Sequence, residues 1–145
     1  MKLQILAVLA GSVLAIGASG QDKGKTDADK IQGTWSFVSL EKGGVEVMED
    51  FVKEAKVVIT ADKIKMQFQG KEEQVDYKLD PSKKPPHIDI VETNGGKENL
   101  IKGIYMVDDK QLKVCFAPPG EKRPTELKSE LGSSEMFAVL KRDKQ

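Results

Sequence analysis

Arginine is nearly missing from this sequence: Arg123 and Arg142 are the only two among 23 cationic side chains. Those cations meet 23 Asp and Glu, so the formal net charge is zero and bulk electrostatics selects no partner. Without a basic excess, and with almost no planar guanidinium forks to grip phosphate and base edges, the composition argues against nucleic acid as a partner. Cysteine is scarcer still. Cys115 stands alone, so no intramolecular disulfide can form and stability has to come from a core. Its expected role is that of a small buried hydrophobe. A reactive thiol would need a lowered pKa, and the one cation near it in sequence is Lys113, two positions away. Sustained helical periodicity is also missing. A doubly wound α/β fold needs helices of ten or more residues between strands, and only Glu49 to Ala55 comes near. No repeat of solenoid period is present.

What remains suits one globular domain: 145 residues, 39% hydrophobic and 32% charged, enough chain for one core without metal or disulfide support. The beginning has a different texture. Met1-Lys2 is a short positive start, Leu3 to Ile16 is an apolar run broken only by Gln4, Gly11 and Ser12, and Ala18-Ser19-Gly20 supplies the small residues of a cleavage site. Residues 1–20 therefore read as a secretory signal peptide, with a mature chain starting at Gln21 and exported to the periplasm or beyond. The apolar run is shorter than the ~20 residues that span a bilayer, and no cysteine follows it to take an acyl anchor, so no membrane attachment of the mature form is expected. Residues 21–30 hold one apolar side chain, Ala28, and read as a flexible leader to a domain over residues 31–142.

From Ile31 onward, short alternating runs are separated by turn signals about every ten residues, the spacing of an all-β protein. Strands are expected at Thr34 to Leu40, Val57 to Thr60, Ile64 to Phe68, Val75 to Leu79, around Ile88 and Ile90, Leu100 to Val107, Leu112 to Phe116 and Glu135 to Lys141. Asp50 to Lys56 reads as one helical turn or a loop. The clearest strand sets Ile64, Met66 and Phe68 against Lys65 and Gln67. Gly43-Gly44, Gly70-Lys71 and Asn94-Gly95-Gly96 turn the chain, and Asp80-Pro81 stops a strand because proline cannot donate to the ladder. About eight strands with short connections make a small antiparallel up-and-down β-barrel the expected fold.

The residues offer little chemistry. His87 is the only histidine; with Asp89 it makes at most two metal ligands, too few for a site, so no metal and no cofactor is expected. No Gly-x-Ser-x-Gly elbow occurs, and no glycine-rich loop opens a helix to cradle phosphate. The acidic pairs Glu49-Asp50, Glu72-Glu73 and Asp108-Asp109 lie in or beside turns, where solvated charge is the simpler account. A non-enzymatic protein is the expectation.

Gly33-Thr34-Trp35 on the first strand resembles the entrance motif of lipocalins, in which the Trp closes one end of the barrel and an Arg near the last strand lies across it. Arg142 is the residue here that would take that place. A guanidinium over an indole gains about 0.5 to 2 kcal/mol and can donate to nearby carbonyls. A wider set is similar to an uncharacterised exported domain family abundant in planctomycete bacteria. It comprises Ile31-Gln32-Gly33-Thr34-Trp35 with Ser39 and Glu41, Leu79-Asp80-Pro81 with Lys84-Pro85 and Ile88-Asp89-Ile90, and Gly103-Ile104-Tyr105 leading to Leu112-Lys113-Val114-Cys115. Arg123-Pro124-Thr125-Glu126 and Leu140-Lys141-Arg142 complete it. The resemblance implies a lipocalin-like barrel behind a signal peptide, without assigned catalytic residues. Leu127 stands where the family usually carries Phe.

Two functions fit such a barrel. Phe37, Met66, Phe68, Tyr77, Tyr105 and Phe116 could line an apolar cavity for a small hydrophobic ligand. Alternatively, those side chains fill a narrow interior and the outer surface binds an envelope protein, as in a protease inhibitor. A cavity of ~300 Å³ or more would mark the first case and voids the size of a water molecule the second. A monomer is expected either way. Three further positions are singled out. Gly103 is expected to make room for an aromatic neighbour. Arg123, in the loop Ala117 to Pro124, is either part of a binding loop or is pinned to a carboxylate such as Asp89. Gly33, Trp35 and Arg142 are expected to close one barrel end, since closure sets the start of the first strand beside the end of the last; a solvated charged tail at Lys141 to Lys144 is the alternative.

Overall fold

A computed structural model describes Lys25 to Val47 and Glu49 to Asp143. The expected signal peptide, residues 1–20, lies outside the described residues. The chain runs α1 (Asp27–Lys30), β1 (Gly33–Lys42), β2 (Val45–Glu46), α2 (Glu49–Glu54), β3 (Lys56–Ile59), β4 (Lys63–Phe68), β5 (Lys71–Asp80), β6 (His87–Asn94), β7 (Lys97–Val107), β8 (Gln111–Phe116) and β9 (Met136–Arg142). Successive strands pair antiparallel from β3 to β9, β1 pairs with β3, and β9 returns to β1, closing an eight-stranded up-and-down barrel to which β2 adds a short extra strand. All-β architecture and strand number agree with the alternation in the sequence.

Three local differences have physical reasons. The leader expected over residues 21–30 gives way earlier than expected, because Thr26 and Asp29 form a capping box that starts the turn α1. That turn delivers Ile31, fully buried, to one end of the barrel. Glu49–Glu54 is helical and buries Val52 in the core. β5 and β7 begin four and three residues before their apolar alternation does. Lys71 to Gln74 and Lys97 to Asn99 are polar and exposed on both faces, so no periodicity announces them.

The two ends of the barrel differ in construction. At the lower end gather α1, the turns after β3 and β7, and the segment between β5 and β6. At the upper end lie α2, the hairpin turns β4–β5 and β6–β7, and the long connection 117–135 between β8 and β9. Each upper hairpin stays paired to its turn, Phe68 to Lys71 and Asn94 to Lys97. Between them, however, the β5–β6 ladder stops at Asp76 and Val91, so the wall is parted above that level.

The interior core includes Trp35, Leu40, Val57, Ile59, Tyr77, Ile88, Tyr105, Leu112, Phe116 and Leu140. A second buried layer lies outside the barrel. Cys115 alternates with inward-facing Val114 and Phe116 and so points outward, beside Ile104 and Phe137 on neighbouring strands. Cys115 is nevertheless 0% exposed, because the 117–135 connection folds over it and its thiol donates to the Lys128 carbonyl at 3.4 Å.

Candidate functional site

The lower end is closed by groups from four segments. Trp35 is 0% exposed, and its Nε1 donates to the Ile31 carbonyl at 2.9 Å. Arg142, its cross-strand partner on β9, sets its guanidinium carbon 4.3 Å from the indole centroid. The same guanidinium donates from Nη1 to the Gln32 carbonyl at 2.7 Å, from Nε to the Asp109 carbonyl at 2.9 Å, and from Nη2 to the Lys30 carbonyl. One side chain thereby ties α1, β1 and the β7–β8 turn to β9, a task lysine cannot reproduce. Gly33 supplies the room: its φ is +135°, and a Cβ there would stand 2.6 Å from Arg142 Nη1. The structure thus brings Gly33, Trp35 and Arg142 together, and the C-terminal strand is pinned through Arg142.

Both tyrosines belong to this end. Tyr77 donates its hydroxyl to the Thr60 carbonyl at 2.6 Å, and Tyr105 donates to Asp27 Oδ2 at 2.7 Å. Burial, and then the neighbouring Asp27, pushes the Tyr105 phenol well above its ordinary pKa; burial, then Asp62, raises Tyr77. A buried phenol needs an acceptor, and the acceptors are at the lower end.

Above this floor is a partly open space of about 90 Å³ whose wall is formed only by apolar side chains. Of the six expected lining residues, Phe37, Met66 and Phe116 border it. The lining role expected of Tyr77, Tyr105 and Phe68 is corrected: the tyrosines fill the lower end, and Phe68 borders a surface groove near the β4–β5 turn. Apart from Met136, the remaining wall comes from short or branched side chains, including Val57, Ile90, Val114 and Ala138. Their number on alternating positions was evident in sequence, but not that small Ala138 would border the same void as large Phe37 and Phe116. Met66 is 40% exposed and carries the wall to the surface. Phe116 and Met136 border both this cavity and a surface groove of about 440 Å³ at the upper end.

Gly103 makes way for an aromatic ring. It pairs with Phe116, and a Cβ at Gly103 would lie 2.5 Å from Phe116 Cδ1 and 2.7 Å from the Cys115 carbonyl oxygen. Phe116 is therefore seated against bare backbone, which fixes its position beside the cavity. Arg123 does not reach the interior. Its Nη1 donates to Asp89 Oδ1 at 2.6 Å and to the Gly103 carbonyl at 2.9 Å, anchoring the 117–135 connection to the outside of β6 and β7. His87, near this pair, has its pKa lowered by burial and then by the Arg123 charge.

One cluster had no signal in the sequence. Lys56 Nζ donates to Ser36 Oγ at 2.8 Å and to Asp143 Oδ2 at 2.7 Å, and Ser36 donates to the other Asp143 oxygen. The residues meet only because β1 lies between β3 and β9. A serine beside a lysine can be a nucleophile and its base, but a base must be neutral, and Asp143 holds this ammonium in an ion pair. The Lys56 and Ser36 bonds in turn hold the Asp143 carboxyl below its ordinary pKa. The cluster is a staple for the last strand. Among the described residues there is no group of three or more His, Cys, Asp or Glu able to hold a metal ion, and no helix long and apolar enough to cross a membrane.

No protein-family model, curated protein or solved structure matches this chain. The comparisons therefore leave the class at what the coordinates define, a closed eight-stranded antiparallel β-barrel with one tied end and a narrow apolar interior.

Proposed function

We propose that this protein is an exported, non-enzymatic, lipocalin-like binding protein that takes a small apolar molecule, or the end of an apolar chain, into the barrel interior. The observation that carries the reading is the cavity of about 90 Å³ with an apolar wall. Close-packed cores leave few voids larger than a water molecule. This one leaves its apolar wall short of packing partners, which an occupant would supply. An eight-stranded barrel is wide enough either to be filled by side chains or to hold one small ligand; the volume lies below the ~300 Å³ that would mark a full ligand pocket and above a single water, so it suits only a small guest or the end of a chain. The signal-like residues 1–20 support export, and the ordered motifs from Ile31 to Arg142 support membership of the planctomycete exported family.

The test is mass spectrometry of small molecules retained by protein purified from its native source, alongside an Ala138→Leu variant that fills the cavity. One apolar compound at near-stoichiometric amount, lost from the variant, is the expected result. Empty protein, with the variant merely more stable, would refute the reading. The second reading, a filled barrel that binds another protein such as a protease, is favoured by a different feature: Leu131, 83% exposed, abuts Gly44 beside exposed Val45 at the rim. A pull-down that recovers a partner from unaltered protein and loses it with Leu131→Ser is the result expected of that reading.

A further inference from the structure

The groove at the upper end differs from the cavity it adjoins by one charge. Its wall is apolar through Ile101, Phe116, Pro118, Pro119 and Met136, and Lys42 is the only charged residue on it. Lys42 pairs with Met136 across β1 and β9, and Met136 also borders the cavity, so the two side chains share the interior face of the wall. The adjacent carboxylates point elsewhere. Glu41 alternates onto the outer face, and Glu135 acts on the outward-pointing Cys115 thiol, whose pKa it helps to raise. Glu73 and Glu92, on the interior face by register, belong to the parted hairpins and do not border the groove. Lys42 makes no ion pair with any described residue. Ser134 adds a hydroxyl to the same wall.

From this arrangement we infer that the ligand is a single-chain amphiphile with an anionic head, its apolar end in the cavity and its carboxylate or equivalent anion beside Lys42. The inference rests on the binding reading above. The cavity alone admits only a short length of chain; the groove shares Phe116 and Met136 with it, so a chain passing between those two side chains would end at a cation. An apolar tail gains by leaving water at any point along that path. A charged head gains only where an opposite charge is free to meet it, and the ammonium remains solvated at the rim, so the preference it confers is modest.

Calorimetric titration with decanoate, 1-decanol and decyltrimethylammonium at neutral pH, each below its micelle threshold, tests the assignment. Decanoate is expected to bind about two- to fivefold more tightly than the alcohol, and the ammonium more weakly than the alcohol. Lys42→Gln should bring decanoate to the affinity of the alcohol and leave the alcohol unchanged, while Lys42→Arg keeps the preference. Thermal melts of both variants confirm the fold, since Lys42 is exposed. Equal binding of acid and alcohol to the unaltered protein, or a preference that survives Lys42→Gln, overturns the assignment to Lys42 and leaves the apolar-ligand reading standing. Binding of neither overturns both.

Discussion

The lower end of the barrel and its upper end are built from the same strands, yet they have opposite physical character. Below, a stacked guanidinium, an indole N–H and two phenols each find an acceptor, and α1 folds in to supply some of them. Above, two hairpins part, polar strand residues face water on both sides, and α2 buries Val52. Hydrogen-bonded closure is therefore concentrated at one end, and the strand ladder is parted at the other. Such a division suits the binding role proposed above: a tied floor, a small apolar chamber and a parted rim.

Substitutions in the lower half and beside the cavity should cost far more than any in the upper hairpins. Trp35→Ala should destabilise by about 4 kcal/mol in denaturant unfolding, because a wholly buried ring and its hydrogen bond are lost together. Gly103→Val should cost about 3 kcal/mol, since backbone as well as Phe116 blocks the new side chain; an unchanged midpoint would contradict the close approach. Arg142→Ala should cost about 2 kcal/mol, with Arg142→Lys recovering only part of it. The single indole, Trp35, reports on the same site, and its emission should shift to the red and become quenchable in Arg142→Ala.

Cys115 gives a smaller, pH-dependent effect. Burial first, and then Glu135, pushes its thiol up to about 11, above the unfolded value. The folded state thus holds its proton where the unfolded chain has released it, so stability is intact below pH ~9 and falls as pH rises through the window up to about 11. At pH ~10 the unaltered protein should have lost about 1 kcal/mol that a Cys115→Ala variant does not lose. At neutral pH the folded protein should resist thiol reagents. The smallest effect belongs to the upper hairpins, where Gln74→Ala should change stability by less than about 0.5 kcal/mol.

Most of the barrel was legible because alternation is visible wherever one face is buried, as in Ile64, Met66 and Phe68. The pairing of Trp35 with Arg142 was legible for a topological reason, since closing a barrel sets its first and last strands side by side. The polar beginnings of β5 and β7 carried no pattern to read. Residues that meet across three strands, such as Ser36, Lys56 and Asp143, could not be associated before the strand order was known. The tyrosines were misplaced because alternation shows which face a side chain takes but not the level at which its hydroxyl finds an acceptor. Cavity size was out of reach for a related reason: it depends on how Ala138, Phe37 and Phe116 pack against each other, which composition does not determine.

The central claim, that the interior above Trp35 receives an apolar guest from the upper end, is tested most directly by methyl-resolved NMR with toluene as the probe. Saturable intermolecular contacts from the toluene ring to the methyls of Met66 and Met136, with the Trp35 indole N–H resonance unmoved, are the predicted result. Absence of any saturable change at those methyls, or displacement of the indole resonance ahead of them, would contradict it.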